Sequence, residues 1–185
     1  MNAYVILAIV VILISVIFMI YNGLIAKKNK VEYAFSSIDV MLKKRYDLIP
    51  NLVKTVKQYA KHEEKLLTDI VQLRNETIGN NLSDKERFEA EGKLSGLLNR
   101  MKIVVENYPD LKANENFLQL QAALNEVEEQ ISAARRTFNA AVMEYNNGVE
   151  MFPSNVFAKA MNLQRKDSFQ IAEAEAKNVD VGNLF

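Results

Sequence analysis

The sequence of 185 residues contains no cysteine and no tryptophan, one histidine, three prolines and six glycines. Without cysteine there is no disulfide framework, thiol nucleophile or thiolate metal site, and this composition is typical of a reducing compartment. Basic and acidic residues number 23 each, so the chain has no net formal charge. A general nucleic-acid binder is strongly basic, so we expect no nucleic acid among the partners.

The chain has one long apolar run, at its N-terminus. Between residues 3 and 21 the only polar side chain other than tyrosine is Ser15. As a helix, about 19 residues rise roughly 29 Å, close to the thickness of the hydrocarbon core of a bilayer. A cleaved signal peptide, the alternative, would begin with basic residues and end with small ones. Residues 1–3 carry no basic side chain and residues 24–26 match a cleavage site poorly, so we expect an uncleaved anchor.

Three lysines, Lys27, Lys28 and Lys30, follow the apolar run directly. Cytoplasmic flanks of membrane spans are enriched in basic residues, so the lysines predict a cytoplasmic C-terminal part and an N-terminus outside. Basic residues beside a bilayer are also attracted to anionic headgroups. We therefore expect these three residues to flank the membrane, with the lipid bilayer as a partner.

The rest of the chain has apolar residues at alternating spacings of three and four, which is typical of helices that pack as in coiled coils. The first such seam contains Phe35, Ile38, Leu42, Arg45, Ile49, Leu52, Val56, Tyr59, Glu63, Leu66, Ile70, Leu73 and Thr77, with Leu24 and Val31 extending it backwards. The second contains Leu94, Leu97, Met101, Val104 and Tyr108. The third contains Phe117, Leu120, Leu124, Val127, Ile131, Ala134, Phe138, Ala141 and Tyr145.

These seams predict an all-α fold, in which a transmembrane helix precedes an antiparallel up-and-down bundle of three long helices and a short C-terminal helix. The corresponding domains are an anchor over residues 1–26, a bundle over 27–165 and a tail over 166–185.

Local signals give the helix boundaries. Gly79 is suited to end the first long helix, and Ser83–Glu86 forms a capping box that starts the second. Pro109 ends the second, and Asn114 is a candidate start of the third. A short helix is expected over 154–162.

Pro50 lies inside the first predicted helix. Proline lacks the N–H that a helix interior uses and its ring clashes with the preceding turn, so a kink or a break is expected. The seam keeps its phase from Ile49 to Leu52, which favours one kinked helix over two. A straight helix over residues 27–78 would be roughly 78 Å long against about 52 Å for the third helix. Part of it should therefore overhang its partners or fold back at the kink.

Two charged residues, Arg45 and Glu63, occupy positions in the first seam. An unpaired buried charge costs several kcal/mol, so each needs a partner or an exposed seam. The first interpretation is an interhelical polar network that fixes register. The alternative is contact with another subunit or partner across an open seam. The candidate residues are Asp39, Arg45, Asp47, Glu63, Arg135, Asn139 and Asn146.

Neither of two candidate metal patterns is complete. His62-Glu63 begins like H-E-x-x-H, but Leu66 stands where the second histidine is required. The carboxylates of Glu126, Glu128 and Glu129 lack the Glu-x-x-His pairs of di-iron bundles and are better explained as a solvated face. We expect no metal, cofactor or catalytic residue.

Three ordered motifs resemble the LemA family. They cover most of the chain and consist of residues 38–53 with 59–63, residues 108–117, and residues 134–139 with Tyr145-Asn146 and Phe152-Pro153. Phe138 stands where the family usually has tyrosine. The resemblance implies a bacterial membrane protein with one N-terminal span and a helical bundle, and no established enzymatic activity. Some relatives belong to magnetosome-membrane assembly systems, and others have membrane metallopeptidases as genomic neighbours.

The function expected from these features is a non-enzymatic scaffold that self-associates as a homo-oligomer at the bacterial inner membrane and shapes or organises it. The alternative is an adaptor or regulator of another membrane protein, such as a peptidase or an envelope sensor. An enzyme with an unrecognised site is the third hypothesis.

Overall fold

The computed structural model describes residues 2–79 and 82–169, apart from the side chains of Asn2, Asp84 and Lys85. The described residues contain no β-strand, which confirms the all-α class. Of the predicted tail, residues 170–185 lie outside the described residues. The helices are α1 (Asn2–Tyr59), α2 (Glu64–Gly79), α3 (Asp84–Val105), α4 (Pro109–Lys112), α5 (Glu115–Glu150) and α6 (Ser154–Ala160), with a 3-10 turn at Lys61–Glu63.

Helix α1 is unbroken across Pro50, as the phase of the seam predicted, but it ends at Tyr59. The prediction of one helix as far as residue 78 is wrong. Ala60 leaves the helical conformation, with φ −115° and ψ 67°, and is fully buried at the corner. Beyond the corner, Arg74 donates from Nε to the carbonyl oxygen of Tyr46 at 2.8 Å. Helix α2 therefore runs back along α1, and the predicted first bundle helix is two helices.

The physical reason for the corner lies in the apolar face of α2. Leu66, Leu67 and Ile70 are buried. A straight continuation of α1 would instead carry these residues beyond the end of α5 and leave them in water. Folding back removes these side chains from water, which is worth about 1.5–3 kcal/mol for each large one. The prediction that the chain overhangs or folds back holds, but the turn is at Ala60 instead of Pro50.

The chain divides into two compact units, and α1 and α5 each contribute to both. The first unit combines the chain up to Asp39 with Ser132–Ser168. The second combines Val40–Ile131 with the segment that begins at Phe169.

In the first unit, α1 and α5 pack antiparallel below the apolar N-terminal segment. The rings of Phe35 and Phe138 have centroids 5.8 Å apart, and Lys30 Nζ lies 2.8 Å from Glu144 Oε2. At Gly148 the two helices lie close together, since a Cβ there would be 3.1 Å from Cδ of Lys27 and 3.3 Å from Cδ2 of Leu24. The buried apolar side chains of this unit include Leu24, Val31, Ala34 and Ile38 on α1, and Phe138, Ala141, Val142 and Tyr145 on α5.

After α6 the chain returns along α5. The Tyr145 hydroxyl donates to the carbonyl oxygen of Gln164 at 3.0 Å. The side chain of Asn146 donates to the carbonyl oxygen of Lys166 and accepts from its N–H, both at 2.9 Å. The side-chain amide of Asn146 therefore satisfies both backbone polar groups of Lys166 and joins the returning chain to α5.

The second unit has a core built from α1, α2, α3 and α5, with the capping box of Ser83 and Glu86 starting α3 as predicted. Asn114 accepts from the N–H of Phe117 at 3.0 Å and starts α5. The same side chain donates to the Tyr59 hydroxyl at 3.0 Å, which joins the start of α5 to the end of α1. The core residues include Leu42, Ile49, Leu52, Val56, Ile70, Leu94, Leu98, Met101, Val105, Phe117, Leu124 and Val127.

Candidate functional site

A buried arginine joins three helices of the second unit. Arg45 on α1 is 0% exposed and forms an ion pair through Nη2 with Glu91 on α3, whose side chain is also 0% exposed. Its Nη1 donates to Glu128 Oε2 on α5 at 2.9 Å and to Ser95 Oγ on α3 at 2.9 Å. We call Arg45, Glu91, Ser95 and Glu128 the arginine cluster.

The helical period places each member of the cluster. Arg45 lies between Leu42 and Ile49 in the buried seam of α1. Glu91 and Ser95 are four residues apart, so they share one face of α3. Glu128 follows the buried Val127 and keeps 42% of its side chain exposed.

The cluster joins three helices through noncovalent ion pairs and hydrogen bonds. Arginine stays protonated at every physiological pH, and its planar guanidinium matches carboxylate oxygens in paired geometry. Taking these charges out of water costs several kcal/mol per ion, which the mutual attraction and the hydrogen bonds offset. Such a cluster can fix which turns of α1, α3 and α5 face each other.

Other predicted network residues lie elsewhere. Asp47 pairs with Lys43 of its own helix at 2.7 Å, and both side chains are largely exposed. Glu63 is half-buried in the 3-10 turn and accepts a hydrogen bond from the Tyr108 hydroxyl at 3.3 Å. Burial, followed by the charge and hydrogen bond of Glu63, raises the pKa of Tyr108. This contact joins the corner after α1 to the residue that precedes α4.

Asp39, Arg135 and Asn139 are half-buried and belong to the first unit, whereas Arg45 belongs to the second. Asn146 pairs with the backbone of Lys166. The predicted network of seven residues stays a prediction. What the structure adds to it are three partners of Arg45 that the sequence analysis did not select.

Two of these partners, Glu91 and Ser95, lie on the buried face of α3, which the predicted seam located incorrectly. The predicted seam used Leu97 and Val104, but Leu98 and Val105 are the buried positions. Stepping back from Leu98 by four and three residues reaches Leu94 and then Glu91. The acidic residue therefore lies on the same buried stripe, and Ser95 is adjacent to it on that face.

Lys27, Lys28 and Lys30 each have a polar partner in the first unit. Lys28 lies 3.8 Å from Glu32, and Lys27 donates to the carbonyl oxygen of Glu144 at 3.3 Å. The hydrogen bond from Lys30, reinforced by its charge and that of Lys27, lowers the pKa of Glu144. These carboxylates offset part of the positive charge that the lysines would present to anionic headgroups.

The N-terminal segment of α1 differs from the rest of the helix. Its large apolar side chains from Tyr4 to Met19 are 44–80% exposed, whereas Leu24 is 2% exposed. Among the described residues, α1 is the one helix long and apolar enough to cross a membrane. This segment fits a membrane anchor.

His62 is exposed within the 3-10 turn. In residues 2–79 and 82–169, no group of three or more histidine or acidic side chains is arranged to hold a metal ion. The expectation that the protein uses no metal stays a prediction.

The profile of the LemA family matches residues 34–182, about four fifths of the chain. The chain belongs to the LemA family. The matched region contains the whole arginine cluster and begins after the apolar segment.

The similar proteins include a LemA protein and two magnetosome proteins. Protein LemA of Metamycoplasma hominis is 24% identical over 178 residues, which cover 94% of this chain and 81% of the relative. Magnetosome proteins MamQ 1 and MamQ 2 of Paramagnetospirillum magneticum are each 26% identical over 201 residues, covering 95% of this chain and 74% of each relative. In each case the similarity extends over more of this LemA-family chain than the family profile does, and the two MamQ relatives are named as magnetosome proteins.

Proposed function

We propose that this LemA-family chain is a non-enzymatic scaffold, anchored by α1 in the bacterial inner membrane, that self-associates there and organises the membrane. The soluble part lies in the cytoplasm and the N-terminus outside. Shaping of the membrane would follow from many such anchors held in one assembly.

The observation that carries the proposal is the continuity of α1. The apolar segment passes into the packed part of the first unit without a linker, from exposed Met19 to buried Leu24 within one helix. An anchor joined in this way transmits its orientation to the folded part, since a helix interior does not swivel as a Gly- or Ser-rich linker does. A scaffold needs this coupling, whereas a simple tether does not.

Confinement to a membrane supports self-association energetically. Tethering turns later contacts into nearly intramolecular ones, so weak interfaces suffice to form assemblies. The arginine cluster supports a structural role, because its ion pairs and hydrogen bonds link three helices. The relatives named as magnetosome proteins make a role in membrane organisation a natural extension.

The test is co-purification of two differently tagged full-length copies expressed together. After extraction in mild detergent, capture through the first tag should recover the second. Mixing separately prepared membranes before extraction is the control for association after lysis. If the second copy is absent and one different membrane protein is recovered in equal amount, the scaffold proposal is wrong and the adaptor alternative holds.

A further inference from the structure

The corner between α5 and α6 exposes large apolar side chains. Met151 is 61% exposed, Phe152 83% and Val156 59%. Among the described residues Phe152 is more exposed than any other large apolar side chain, including Tyr4 of the apolar segment at 80%. A phenylalanine in this position is unfavourable in water unless another surface covers it.

The register of the first unit places this corner at the membrane end of the fold. Lys30 pairs with Glu144, and Gly148 lies beside Leu24 and Lys27, so α5 runs towards the N-terminal segment of α1. Helix α5 ends at Glu150, about 3 Å of helical rise beyond Gly148, and Tyr21 precedes Leu24 by about 4.5 Å. The corner that begins at Met151 therefore lies at a height similar to that of Tyr21 along the anchor.

We propose that the α5–α6 corner is a second membrane contact, in which Met151 and Phe152 enter the lipid interface beside the anchor. Interfacial elements bury their apolar side chains roughly 5–10 Å into the boundary between headgroups and acyl chains. Phenylalanine is one of the residues that such elements place on their membrane-facing side. The inference rests on the membrane anchoring in the proposed function, since the anchor brings the corner to the bilayer.

Lipid is the occupant that the geometry favours, because the exposed corner lies at the height where the exposed apolar segment of the anchor begins. The turn also has local polar contacts. Glu150 pairs with Arg165 at 2.8 Å, and the Ser154 hydroxyl donates to the carbonyl oxygen of Met151 at 2.9 Å. Two contacts, anchor and corner, would restrict how the first unit tilts and rotates on the membrane. A single helical span by itself restricts neither the tilt nor the rotation.

The absence of cysteine makes the experiment direct. Full-length variants Met151→Cys, Phe152→Cys, Met143→Cys and Phe18→Cys each receive an environment-sensitive fluorophore. They are reconstituted in vesicles of phosphatidylcholine and phosphatidylglycerol that carry a nitroxide on the upper acyl chain of both leaflets. Met143 is the matched control, because it is also 61% exposed and lies about 12 Å further from the anchor along α5.

The labels at positions 151 and 152 should be quenched several-fold more than the label at 143, and their emission should shift to shorter wavelength. The label at 18 reports on the anchor independently.

Quenching at 18 with equal, weak quenching at 143, 151 and 152 would place the corner in water and overturn this inference alone. Protection of 152 from aqueous iodide without lipid quenching would identify a protein surface, such as a second copy, and would overturn it as well. No quenching at 18 would overturn the anchor and the corner contact together.

Discussion

At the residue scale, the arginine cluster shows what sequence patterns can and cannot give. The spacing of the first seam identified Arg45 as a charge at a buried position, and the structure places it at 0% exposure. The seam could not identify Glu91 or Glu128 as partners, because the choice depends on how α3 and α5 are rotated about their axes. The predicted α3 seam shared Leu94 and Met101 with the buried face but used Leu97 and Val104 in place of Leu98 and Val105. Neighbouring residues of a helix lie about 100° apart, so this error rotated the predicted face enough to leave Glu91 off it.

Removing the arginine should strongly destabilise the second unit. Arg45→Met leaves the buried Glu91 carboxylate without its cation, and breaking a buried pair in this way costs about 3–5 kcal/mol. The double variant Arg45→Met with Glu91→Leu should recover most of the loss, because apolar replacement of a buried pair is often neutral or favourable. The measurement is the free energy of unfolding of the full chain in detergent, from urea titration followed by circular dichroism.

Lys43→Met is the matched control for Arg45→Met. It breaks the exposed pair with Asp47 on the same helix, for which we expect a change of about 0–1 kcal/mol. Equal effects of Arg45→Met and Lys43→Met would contradict a structural role for the cluster.

At the element scale, the periodic signal predicted α5 well and failed at the end of α1. The buried positions of α5 include Phe117, Ile131, Phe138 and Tyr145 of the predicted seam, because one face of that helix is covered along its length. The turn at Ala60 has no glycine or proline, and the seam stays in phase across it. The turn follows from long-range burial of α2, which local sequence signals do not report.

Gly148 is the element-scale test of close packing in the first unit. Gly148→Val places branched carbons against Leu24 and Lys27, where a Cβ alone would already lie 3.3 Å and 3.1 Å from their side chains. We expect a loss of about 1–3 kcal/mol in the free energy of unfolding, as for other overpacked sites.

Gly96→Ala on α3 is the control for Gly148→Val. No atom outside its own helix lies within 4 Å of a Cβ built there, so the change should stabilise by about 1 kcal/mol through helix propensity. Both variants are measured by thermal unfolding of the full chain in the same detergent. A Gly148→Val protein as stable as Gly96→Ala would show that α1 and α5 do not approach as described.

At the scale of the whole molecule, we propose that the continuity of α1 with its apolar segment lets this LemA-family protein act as a scaffold. The sequence predicted the anchor from composition and length alone, and the structure adds that packing begins at Leu24. Composition and periodicity report the properties of one chain, so they do not give the number of copies in an assembly.

The most direct measurement is the mass of full-length protein extracted from its own membranes in mild detergent, by light scattering with correction for bound detergent, and its particle size by imaging. A scaffold of this kind should be a uniform homo-oligomer that persists on dilution. A monomer, or a small complex whose mass requires a different protein, would contradict it.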